Sequence, residues 1–249
     1  MNAVPCLQVA GVGKRYGGLE VLAGIDLSVP DGIRHVILGP NGAGKTTLFK
    51  ILSGEIAPTS GTVRFRGRDI THAPPYRRAA LGIARTFQVT SLFPRLTTIE
   101  NVLLAVQGTR GGKYDPCRAF DRVGDVMAEA RQVLGRVGLG GRETTPVDAL
   151  AYGEQRQLEI GLALASRPTL LLLDEPTAGL ARAEVSRIVS LLRALPREIT
   201  VLFIEHDMDV AFALAETVTV LSQGQFVTEG PLQAVRANKT VQEIYLGEA

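Results

Sequence analysis

The sequence predicts an α/β fold: a largely parallel central sheet, an antiparallel β lobe at the N-terminus and an inserted α-helical lobe. Three observations lead to this prediction. Short apolar strands alternate with helices in the second half of the chain, which implies parallel strands. A strand-like pattern over residues 7–29 is broken and closed by turn residues, which is typical of antiparallel β-structure. Between about residues 94 and 165 apolar residues recur at spacings of three and four, which indicates helices.

The individual elements follow from the same patterns in chain order. The apolar run at 36–38 predicts a short buried strand that enters a glycine-rich loop, and residues 47–52 predict the helix after that loop. Alternation over 62–66, with a glycine on either side, predicts a further strand. The remaining predictions are strands at 170–173, 200–204 and 218–221 and helices at 184–195 and 208–215.

The helical segment is predicted to be a lobe of about 94–165 inserted into a core of about 1–93 and 166–249, within a single domain of 1–249. The length favours one domain, because domains average about 150 residues and two full tandem domains would need more chain. The amphipathic stripe of the lobe consists of Phe120, Val123, Met127, Ala130, Leu134 and Val137. This spacing is interpreted as core packing, and no site is predicted on it.

Composition and charge exclude several classes of protein. The chain has 27 basic and 25 acidic residues, a net charge of +2, which argues against a protein that coats nucleic acid. Cys6 and Cys117 have no CxxC motif or histidine cluster nearby, so neither a disulfide framework nor a zinc site is predicted. Residues 1–10 lack a signal-peptide pattern, and the apolar stretch at 160–173 is interrupted by Arg167-Pro168. We therefore expect a cytoplasmic protein that reaches a membrane only by docking to another component.

A glycine-rich loop lies between the strand at 36–38 and the helix at 47–52. Its residues match GxxxxGK[ST] and are Gly39, Pro40, Asn41, Gly42, Ala43, Gly44, Lys45, Thr46 and Thr47. Glycines let successive backbone N–H groups surround phosphates, and the helix N-terminus adds positive potential. In this pattern Lys45 reaches the β- and γ-phosphates and the Thr46 hydroxyl ligates Mg²⁺. The loop therefore predicts a P-loop NTPase with a RecA-like core.

Two carboxylates follow the apolar strand at 170–173. Asp174 and Glu175 stand at its carboxyl end, where ligands bind in open α/β sheets. We expect Asp174 to orient Mg²⁺ through its water shell. We expect Glu175 to accept a proton from the attacking water as the general base.

Residues 150–156, with the sequence Leu-Ala-Tyr-Gly-Glu-Gln-Arg, precede an apolar helical run and lie upstream of Asp174. This segment resembles the LSGGQ signature of ATP-binding cassette (ABC) proteins, and the order of the motifs is that of the family. The resemblance covers essentially the whole chain and implies ATP as the nucleotide. It also implies that the nucleotide bound by a second subunit is contacted here, by Ala151, Tyr152, Gly153 and Glu154.

The resemblance implies roles for three further residues. Tyr16 stacks on adenine. Gln88 contacts Mg²⁺ and links nucleotide occupancy to a permease. His206 positions water and stabilises charge in the transition state. The expected catalytic residues are Glu175, His206, Lys45 and Gln88, and the expected metal site is Thr46, Gln88 and Asp174.

Two residues depart from the family pattern. Ala151 stands where the signature has serine, which removes a hydroxyl from the contact with the opposing phosphate. Ala181 stands where an aspartate is usual, which puts in doubt communication between the two sites of a dimer. Neither position belongs to the predicted catalytic residues, so we expect hydrolysis to survive.

Several variant motifs resemble those of the ATPase subunits of branched-chain amino acid importers. They are the segment 150–156, Leu92-Phe93-Pro94, Thr177-Ala178-Gly179-Leu180, Ile204-Glu205-His206-Asp207-Met208 and Tyr245-Leu246-Gly247. The resemblance implies a head-to-tail dimer with a second ATPase subunit, identical or different, and integral membrane permease subunits as partners. It further implies an indirect dependence on a solute-binding protein and a place on the inner face of the cell membrane. No nucleic acid partner is expected.

The same motifs bear on several other functions. Importers of urea, short amides and aromatic acids share these motifs, and an ATPase of a lipopolysaccharide-type exporter is distinguished only by its permease. Soluble ABC proteins of translation or DNA repair fuse two cassettes or insert a long coiled coil, and this sequence has neither feature. A kinase or GTPase would not explain the signature, and the guanine-reading motif NKxD is absent from the sequence.

Residues 64–95 form a basic segment with a single acidic residue, Asp69. Its arginines are Arg64, Arg66, Arg68, Arg77, Arg78, Arg85 and Arg95. Two interpretations stay open. The segment is a solvated face, or it is a surface for phosphate, for acidic loops of a membrane domain or for lipid headgroups.

Overall fold

The chain divides into two compact units. The computed structural model describes residues 4–86, 92–109 and 123–246. The first unit is Met1–Arg85, Thr169–Pro176 and Leu195–Ala249, and the second is Thr86–Pro168 and Thr177–Ala194. Residues 177–194, which the sequence pattern assigns to the core, thus belong to the second unit.

The first unit contains two sheets and several helices. Its strands are β1 (Leu7–Tyr16), β2 (Leu19–Val29), β3 (Arg34–Leu38), β4 (Ser60–Phe65), β5 (Arg68–Asp69), β6 (Ile83–Arg85), β7 (Leu170–Asp174), β8 (Thr200–Ile204), β9 (Thr217–Ser222) and β10 (Gln225–Pro231). Its helices are α1 (Lys45–Ser53), α2 (Pro75–Ala80), α7 (Met208–Leu214), α8 (Leu232–Arg236) and α9 (Lys239–Leu246). The antiparallel sheet has the order β2-β1-β4-β5, and the larger sheet has the order β10-β9-β3-β8-β7-β6.

The larger sheet is parallel except at one edge, as the alternating strand and helix pattern predicts. Strands β6, β7, β8, β3 and β9 run parallel, and β10 pairs antiparallel with β9. Every residue of β3, β7 and β8 is buried, which explains why these strands appear in the sequence as continuous apolar runs. Strand β10 is half-exposed and polar, and it was not predicted because an edge strand of this kind lacks that apolar signal.

The core of the first unit lies between the two sheets and α1. Phe49 and Leu52 of α1, Val9 of the antiparallel sheet, and Leu172 and Ile204 of the larger sheet all belong to one buried apolar cluster. The helix therefore fixes the loop that precedes it against both sheets. The predicted α/β class, with its RecA-like core and N-terminal antiparallel lobe, is confirmed.

The guanidinium groups of Arg78 and Arg34 are buried in the first unit, where backbone carbonyls accept their hydrogen bonds. Arg78 donates from Nη1 to the carbonyls of Ile51 and Leu52, each at 2.7 Å, at the C-terminal end of α1. Arg34 donates to the carbonyl of Ile199 at 2.9 Å. A helix C-terminus carries partial negative charge, which offsets part of the cost of burying a cation.

The second unit is helical. Its helices are α3 (Thr98–Thr109), α4 (Val123–Arg136), α5 (Tyr152–Ala165) and α6 (Arg182–Ala194), with a 3₁₀ turn at Val147–Ala149. Ala130, Leu134 and Val137 of the predicted stripe are fully buried and Met127 is partly buried, so these four residues pack in the core as expected. Phe120 and Cys117 lie outside the described residues. Within the described ranges, no helix is both long and apolar enough to cross a membrane.

A buried histidine lies on β3, the strand that leads into the glycine-rich loop. His35 Nε2 lies 2.7 Å from Thr219 Oγ1, and the Thr219 hydroxyl donates to Glu229 Oε2 at 2.7 Å. Because that hydroxyl proton is used, Nε2 is assigned as the donor to Thr219, and Nδ1 carries no proton. Nδ1 has no hydrogen-bond partner in the described part of the chain. Burial lowers the pKa of His35 from 6.5 to about 4.

This histidine predicts a specific loss of stability in mild acid. The depressed pKa means that the unfolded state binds a proton between pH 6.5 and about 4 that the folded state excludes. The stability is fully present above pH 6.5, and His35 removes about 3 kcal/mol of it as the pH falls to 4. Urea unfolding between pH 4 and 7 measures this loss. The amide of His35→Gln can donate to Thr219 without titrating, so the free energy of unfolding of this variant should depend less on pH. If the free energies of the variant and of the unmodified protein fell in parallel between pH 7 and 4, the assignment would be contradicted.

Candidate functional site

The ends of three parallel strands bring the predicted motifs to one edge of the larger sheet. Ile37 of β3 pairs with Ile204 of β8, and Ile204 pairs with Asp174 of β7. Neighbouring strands lie about 4.8 Å apart, so these three carboxyl ends fall within roughly 10 Å of one another. The glycine-rich loop, the pair Asp174-Glu175 and His206 all follow directly from them.

The glycine-rich loop is built around a residue that must be glycine. Gly44 is the N-cap of α1 and has φ +94°, in the left-handed region. A Cβ at this position would lie 2.6 Å from Leu22 Cδ2 and 3.0 Å from the Val21 carbonyl oxygen. The loop can therefore pass close to β2 and deliver the backbone N–H groups of α1 to its concave side.

Lys45 is buried and folded back onto the loop. Its Nζ donates to the carbonyl of Gly39 and to that of Pro40, the latter at 2.9 Å. The ammonium is therefore held at the centre of the loop by carbonyl oxygens. A phosphate is a stronger acceptor than these carbonyls, so it can compete for the same donors.

Asp174 is a buried carboxylate held by an arginine that the sequence motifs did not single out. Arg85 Nη2 donates to Asp174 Oδ2 at 2.9 Å. Arg85 Nη1 donates to Ser53 Oγ at 3.0 Å and also binds Glu55 Oε1. Burial raises the pKa of Asp174, Arg85 opposes that rise, and the neighbouring Glu175 and Glu55 add to it. The sequence placed Arg85 only in the basic segment, because nothing local in it indicates a partner 89 positions away.

Glu175 and His206 face each other across the edge. Glu175 Oε1 lies 3.8 Å from His206 Nδ1, and both side chains reach solvent. Glu175 has φ +47°, and its backbone N–H donates to the carbonyl of Ile204 at 3.1 Å. A left-handed non-glycine residue is uncommon, and such conformations concentrate at functional sites. The arrangement can hold a water molecule between a carboxylate and an imidazole.

The oxygen donors at this edge fit Mg²⁺ bound together with a phosphate. Among the residues that the structure describes, no group of three His, Cys, Asp or Glu side chains could hold a metal alone. Mg²⁺ commonly keeps several waters and is held by one or two carboxylates and by substrate phosphates. Asp174 Oδ1 is buried and has no hydrogen-bond partner among the described residues, so it is available to a hydrated cation. The hydroxyl of Thr46, next to Lys45 in the loop, is of the right chemical type.

The signature segment lies in the second unit, at the start of α5. Ala151 is the N-cap of this helix, and its backbone N–H donates to Glu154 Oε2 at 3.0 Å. Glu154 Oε1 also accepts from Arg142 at 2.9 Å. The bond from the Ala151 N–H to Glu154 is the return half of a capping box, and the other half is missing because alanine has no side-chain acceptor.

Tyr152 and Gly153 are fixed by neighbours within the same unit. The Tyr152 hydroxyl accepts from Arg156 Nη2 at 3.0 Å, and Arg156 Nη1 donates to Glu159 Oε2 at 2.9 Å. Burial raises the pKa of Glu159, and Arg156 opposes the rise. A Cβ at Gly153 would lie 2.5 Å from Glu184 Oε1. A side chain at this position would therefore have to displace the flexible end of Glu184.

The last two predicted site residues are placed differently. Tyr16 ends β1, is half-exposed, and lies under Lys14 Nζ at 5.0 Å from its ring centroid. An exposed aromatic ring of this kind can stack on a base. Gln88 lies outside the described residues.

The basic segment does not form one surface. Arg78 and Arg85 are inside the first unit, and Arg66 pairs with Asp31 at 2.9 Å. The exposed members are Arg64, Arg66, Arg68, Arg77 and Arg95. The interpretation of the basic segment as a solvated or docking surface is therefore wrong for Arg78 and Arg85. Their guanidinium groups bind carbonyls and carboxylates of the first unit itself.

Comparison with known proteins shows similarity over nearly the whole chain. The family model described as ABC transporter matches residues 22–178. The chain is 37% identical to the high-affinity branched-chain amino acid transport ATP-binding protein BraF of Pseudomonas aeruginosa, over 98% of this chain and 99% of that protein. It is 36% identical to LivG of Escherichia coli K12, which is named for the same transport, over 98% of this chain and 99% of that protein. It is 35% identical to the ribose import ATP-binding protein RbsA of Yersinia pestis, over 98% of this chain and 46% of that protein.

Solved structures resemble the whole chain as well. An ATP-binding cassette of an ABC transporter in its ADP conformation has a TM-score of 0.85 and 29% identity, covering 98% of this chain and 99% of that chain. A nucleotide-free ATP-binding cassette of an ABC transporter has a TM-score of 0.84 and 28% identity, covering 97% of this chain and 98% of that chain.

The incomplete capping box predicts that Ala151→Ser stabilises the protein. A serine here can accept from the N–H groups of the first turn of α5, which contributes about 0.5–2 kcal/mol at an N-cap. In a chain of this size that raises Tm by about 2–4 °C per kcal/mol. Calorimetry measures the shift. Ala151→Val, which adds bulk without an acceptor, should not reproduce it. ATPase activity should change less than about tenfold, the factor that 1.4 kcal/mol represents. A serine variant no more stable than the valine variant would contradict this account.

Proposed function

The chain belongs to the ABC transporter family of ATP-binding proteins, and on that premise we propose that it is the ATP-hydrolysing subunit of an importer of branched-chain amino acids or related small polar or organic-acid solutes. Its enzymatic activity is that of an ATPase. The observation that supports the proposal most directly is the common edge of β3, β7 and β8. The proposal is supported because the glycine-rich loop, the buried Asp174 carboxylate and the Glu175–His206 pair lie together at this edge.

We assign the phosphates of ATP to the loop 39–47. Lys45 transfers its hydrogen bonds from loop carbonyls to the β- and γ-phosphate oxygens, and the N–H groups at the start of α1 complete the cradle. Thr46, Asp174 and Gln88 would hold Mg²⁺, which neutralises charge developing on the transferred phosphoryl group. Tyr16 stacks on the adenine, where its exposed ring is free to take a base.

Glu175 and His206 act on the attacking water. The Glu175 carboxylate accepts a proton from the water as it attacks the γ-phosphorus, and His206 holds the water and stabilises negative charge. Their separation of 3.8 Å is long for a direct hydrogen bond. Such contacts commonly tighten only in the complex with substrate.

We propose that the working form is a head-to-tail dimer of ATPase subunits. The sequence has one phosphate loop and one signature segment. In this arrangement Ala151, Tyr152, Gly153 and Glu154 of one subunit meet the γ-phosphate bound to the other. The backbone N–H groups at the start of α5 and its helix dipole suit an anion even without the serine hydroxyl.

The proposed partners are integral membrane permease subunits and, through them, a solute-binding protein. Closure of the dimer on ATP drives the permease, Gln88 couples the nucleotide to it, and hydrolysis resets the cycle. The chain would then act at the inner face of the cell membrane as a peripheral subunit, a single ABC ATPase domain of 1–249 with a helical lobe of about 94–165. No nucleic acid is involved in this proposal.

The solute class is a finer proposal than the ATPase function. The two relatives named for branched-chain amino acid transport are 36% and 37% identical over their full length, whereas the relative named for ribose import is matched over 46% of its length at 35%. Coverage of both chains therefore favours the amino acid importers. A urea or amide importer and a lipopolysaccharide-type exporter are the alternatives, and the permease partner distinguishes them.

Glu175→Gln should lose ATP hydrolysis while retaining MgATP binding. Removing a general base costs about 10²- to 10⁴-fold in rate. Steady-state phosphate release measures the rate, and sedimentation with MgATP should show that this variant is trapped as a dimer. Glu198→Gln is a matched control, because Glu198 is exposed just before β8, away from the carboxyl ends of the strands.

Unchanged turnover in Glu175→Gln would remove this residue from the role of base. If the Glu175→Gln variant stays monomeric with MgATP, at protein concentrations well above any plausible dissociation constant of the dimer, a heteromeric partner is favoured. In cells that encode this chain, leucine uptake should be lost with Glu175→Gln and ribose uptake should not. The reverse pattern would overturn the proposed solute class without touching the ATPase assignment.

Gly153→Asp should abolish ATPase activity and ATP-driven dimerisation while nucleotide binding at Lys45 stays nearly intact. The aspartate adds negative charge where the opposing γ-phosphate must approach. It also meets Glu184 within the same unit, because a Cβ here lies 2.5 Å from Glu184 Oε1. Nucleotide affinity, turnover and sedimentation on Gly153→Asp separate binding from assembly.

A second pair of variants separates the two causes. Gly153→Asp combined with Glu184→Ala relieves the intrachain contact and should stay inactive. Gly153→Ala combined with Glu184→Ala is the uncharged control and should keep most of its activity. Recovery of activity in the aspartate double variant would show that the defect was intrachain. Normal hydrolysis by Gly153→Asp alone would overturn the dimer model.

A further inference from the structure

The geometry points to Arg85 as the positioning residue that holds Asp174 in the orientation needed to receive hydrated Mg²⁺. Arg85 ends β6, and Asp174 ends the adjacent parallel strand β7. The inference rests on the proposed function, because it assumes that Asp174 faces the metal of a bound nucleotide. Arg85 itself touches neither the nucleotide nor the metal in this account.

The two oxygens of Asp174 are used differently. Oδ2 accepts from Arg85 Nη2 at 2.9 Å, whereas Oδ1 has no hydrogen-bond partner among the described residues. The side chains of Asp174 and Arg85 are only 1% and 6% exposed. A buried carboxylate oxygen without a partner is costly, and such groups are usually satisfied by hydrogen bonds. A guanidinium bond to one oxygen therefore fixes the carboxylate plane and leaves the other oxygen for an additional ligand.

Arg85 is itself fixed from the opposite side. Its Nη1 donates to Ser53 Oγ at 3.0 Å and binds Glu55 Oε1, and Ser53 donates to Glu55 at 2.8 Å. Ser53 is the last residue of α1, the helix that begins at Lys45. A planar guanidinium can bridge two carboxylates in this way, whereas the single ammonium of lysine cannot match that geometry. The orientation of Asp174 is thus tied to the helix that carries the phosphate loop.

The charges of this group leave a net negative site. One guanidinium faces two carboxylates, Asp174 and Glu55, and Glu175 follows directly in sequence. A divalent cation would be attracted to this edge. Residues that orient a metal-facing ligand typically contribute 10- to 100-fold to metal affinity. Loss of Arg85 should therefore weaken metal binding by about 10-fold or more, even though it removes a positive charge.

The test measures metal affinity directly, with ADP and Mn²⁺ as probes. The free Mn²⁺ signal in electron paramagnetic resonance, with protein in excess over ADP, gives the dissociation constant of the metal in the ternary complex. Arg85→Ala should raise this constant by about 10-fold or more. ADP affinity in EDTA, measured by calorimetry, should change by less than about threefold, a shift of about 0.65 kcal/mol. Arg85→Lys should recover part of the metal affinity.

Glu55→Gln is the matched control. It removes the charge of the second carboxylate that Arg85 binds, but the amide oxygen can still accept from Arg85 Nη1 and the bond to Asp174 remains. The Mn²⁺ dissociation constant should therefore change by less than about threefold, again about 0.65 kcal/mol. In the Asp174→Asn background, Arg85→Ala should add almost nothing, because a residue that acts only through Asp174 has no effect without it. Arg85→Met, which keeps the length of the side chain in an apolar form, replaces the alanine variant if that one does not fold.

Three outcomes would overturn the inference. The first is a dissociation constant for Mn²⁺ that is unchanged or lowered in the arginine variants. The second is a loss of Mn²⁺ affinity in Glu55→Gln that equals the loss in Arg85→Ala. The third is that the effects of Arg85→Ala and Asp174→Asn on Mn²⁺ affinity are additive. Failure of the proposed function would look different. In that case the unmodified protein itself would show no ternary complex with ADP and Mn²⁺.

Discussion

The functional edge depends on the parallel register of β3, β8 and β7. Ile37, Ile204 and Asp174 lie side by side in this ladder, so the three chain segments that follow them emerge together. Parallel strands present all their carboxyl ends at one edge, which is where open α/β sheets bind ligands. Every residue of the three strands is buried, so close packing of the surrounding core holds them in this register.

The same edge concentrates charge inside a well-packed unit. Lys45 is held by carbonyls, Arg85 by two carboxylates and a hydroxyl, and Arg78 by carbonyls at the end of α1. A buried charge is tolerated only when its hydrogen bonds are made, so these networks fix the loop and the strand ends. Such preorganisation is what phosphoryl transfer requires, because its catalysis consists largely of positioning and electrostatic stabilisation.

The signature segment is organised by contacts of its own unit. Tyr152 is anchored by Arg156, whose charge is in turn paired with Glu159, and Glu154 closes back on the N-cap. Contacts within the second unit therefore hold the start of α5 in one arrangement. The departure at Ala151 removes one acceptor from the helix cap but none of these contacts. This supports the expectation that the segment keeps its role without the serine.

The sequence by itself determined the fold class, the phosphate loop and the strand that ends in Asp174-Glu175. These features depend on local patterns: apolar runs, glycines before a helix, and motif order. The edge strand β10, the grouping of α6 with the helical unit, and the partners of Arg85, Arg78 and His35 were decided only by the tertiary structure. The physical reason is that these depend on contacts between residues far apart in sequence. An arginine in a basic stretch has the same local pattern whether it faces solvent or, as at Arg85, a carboxylate 89 residues away.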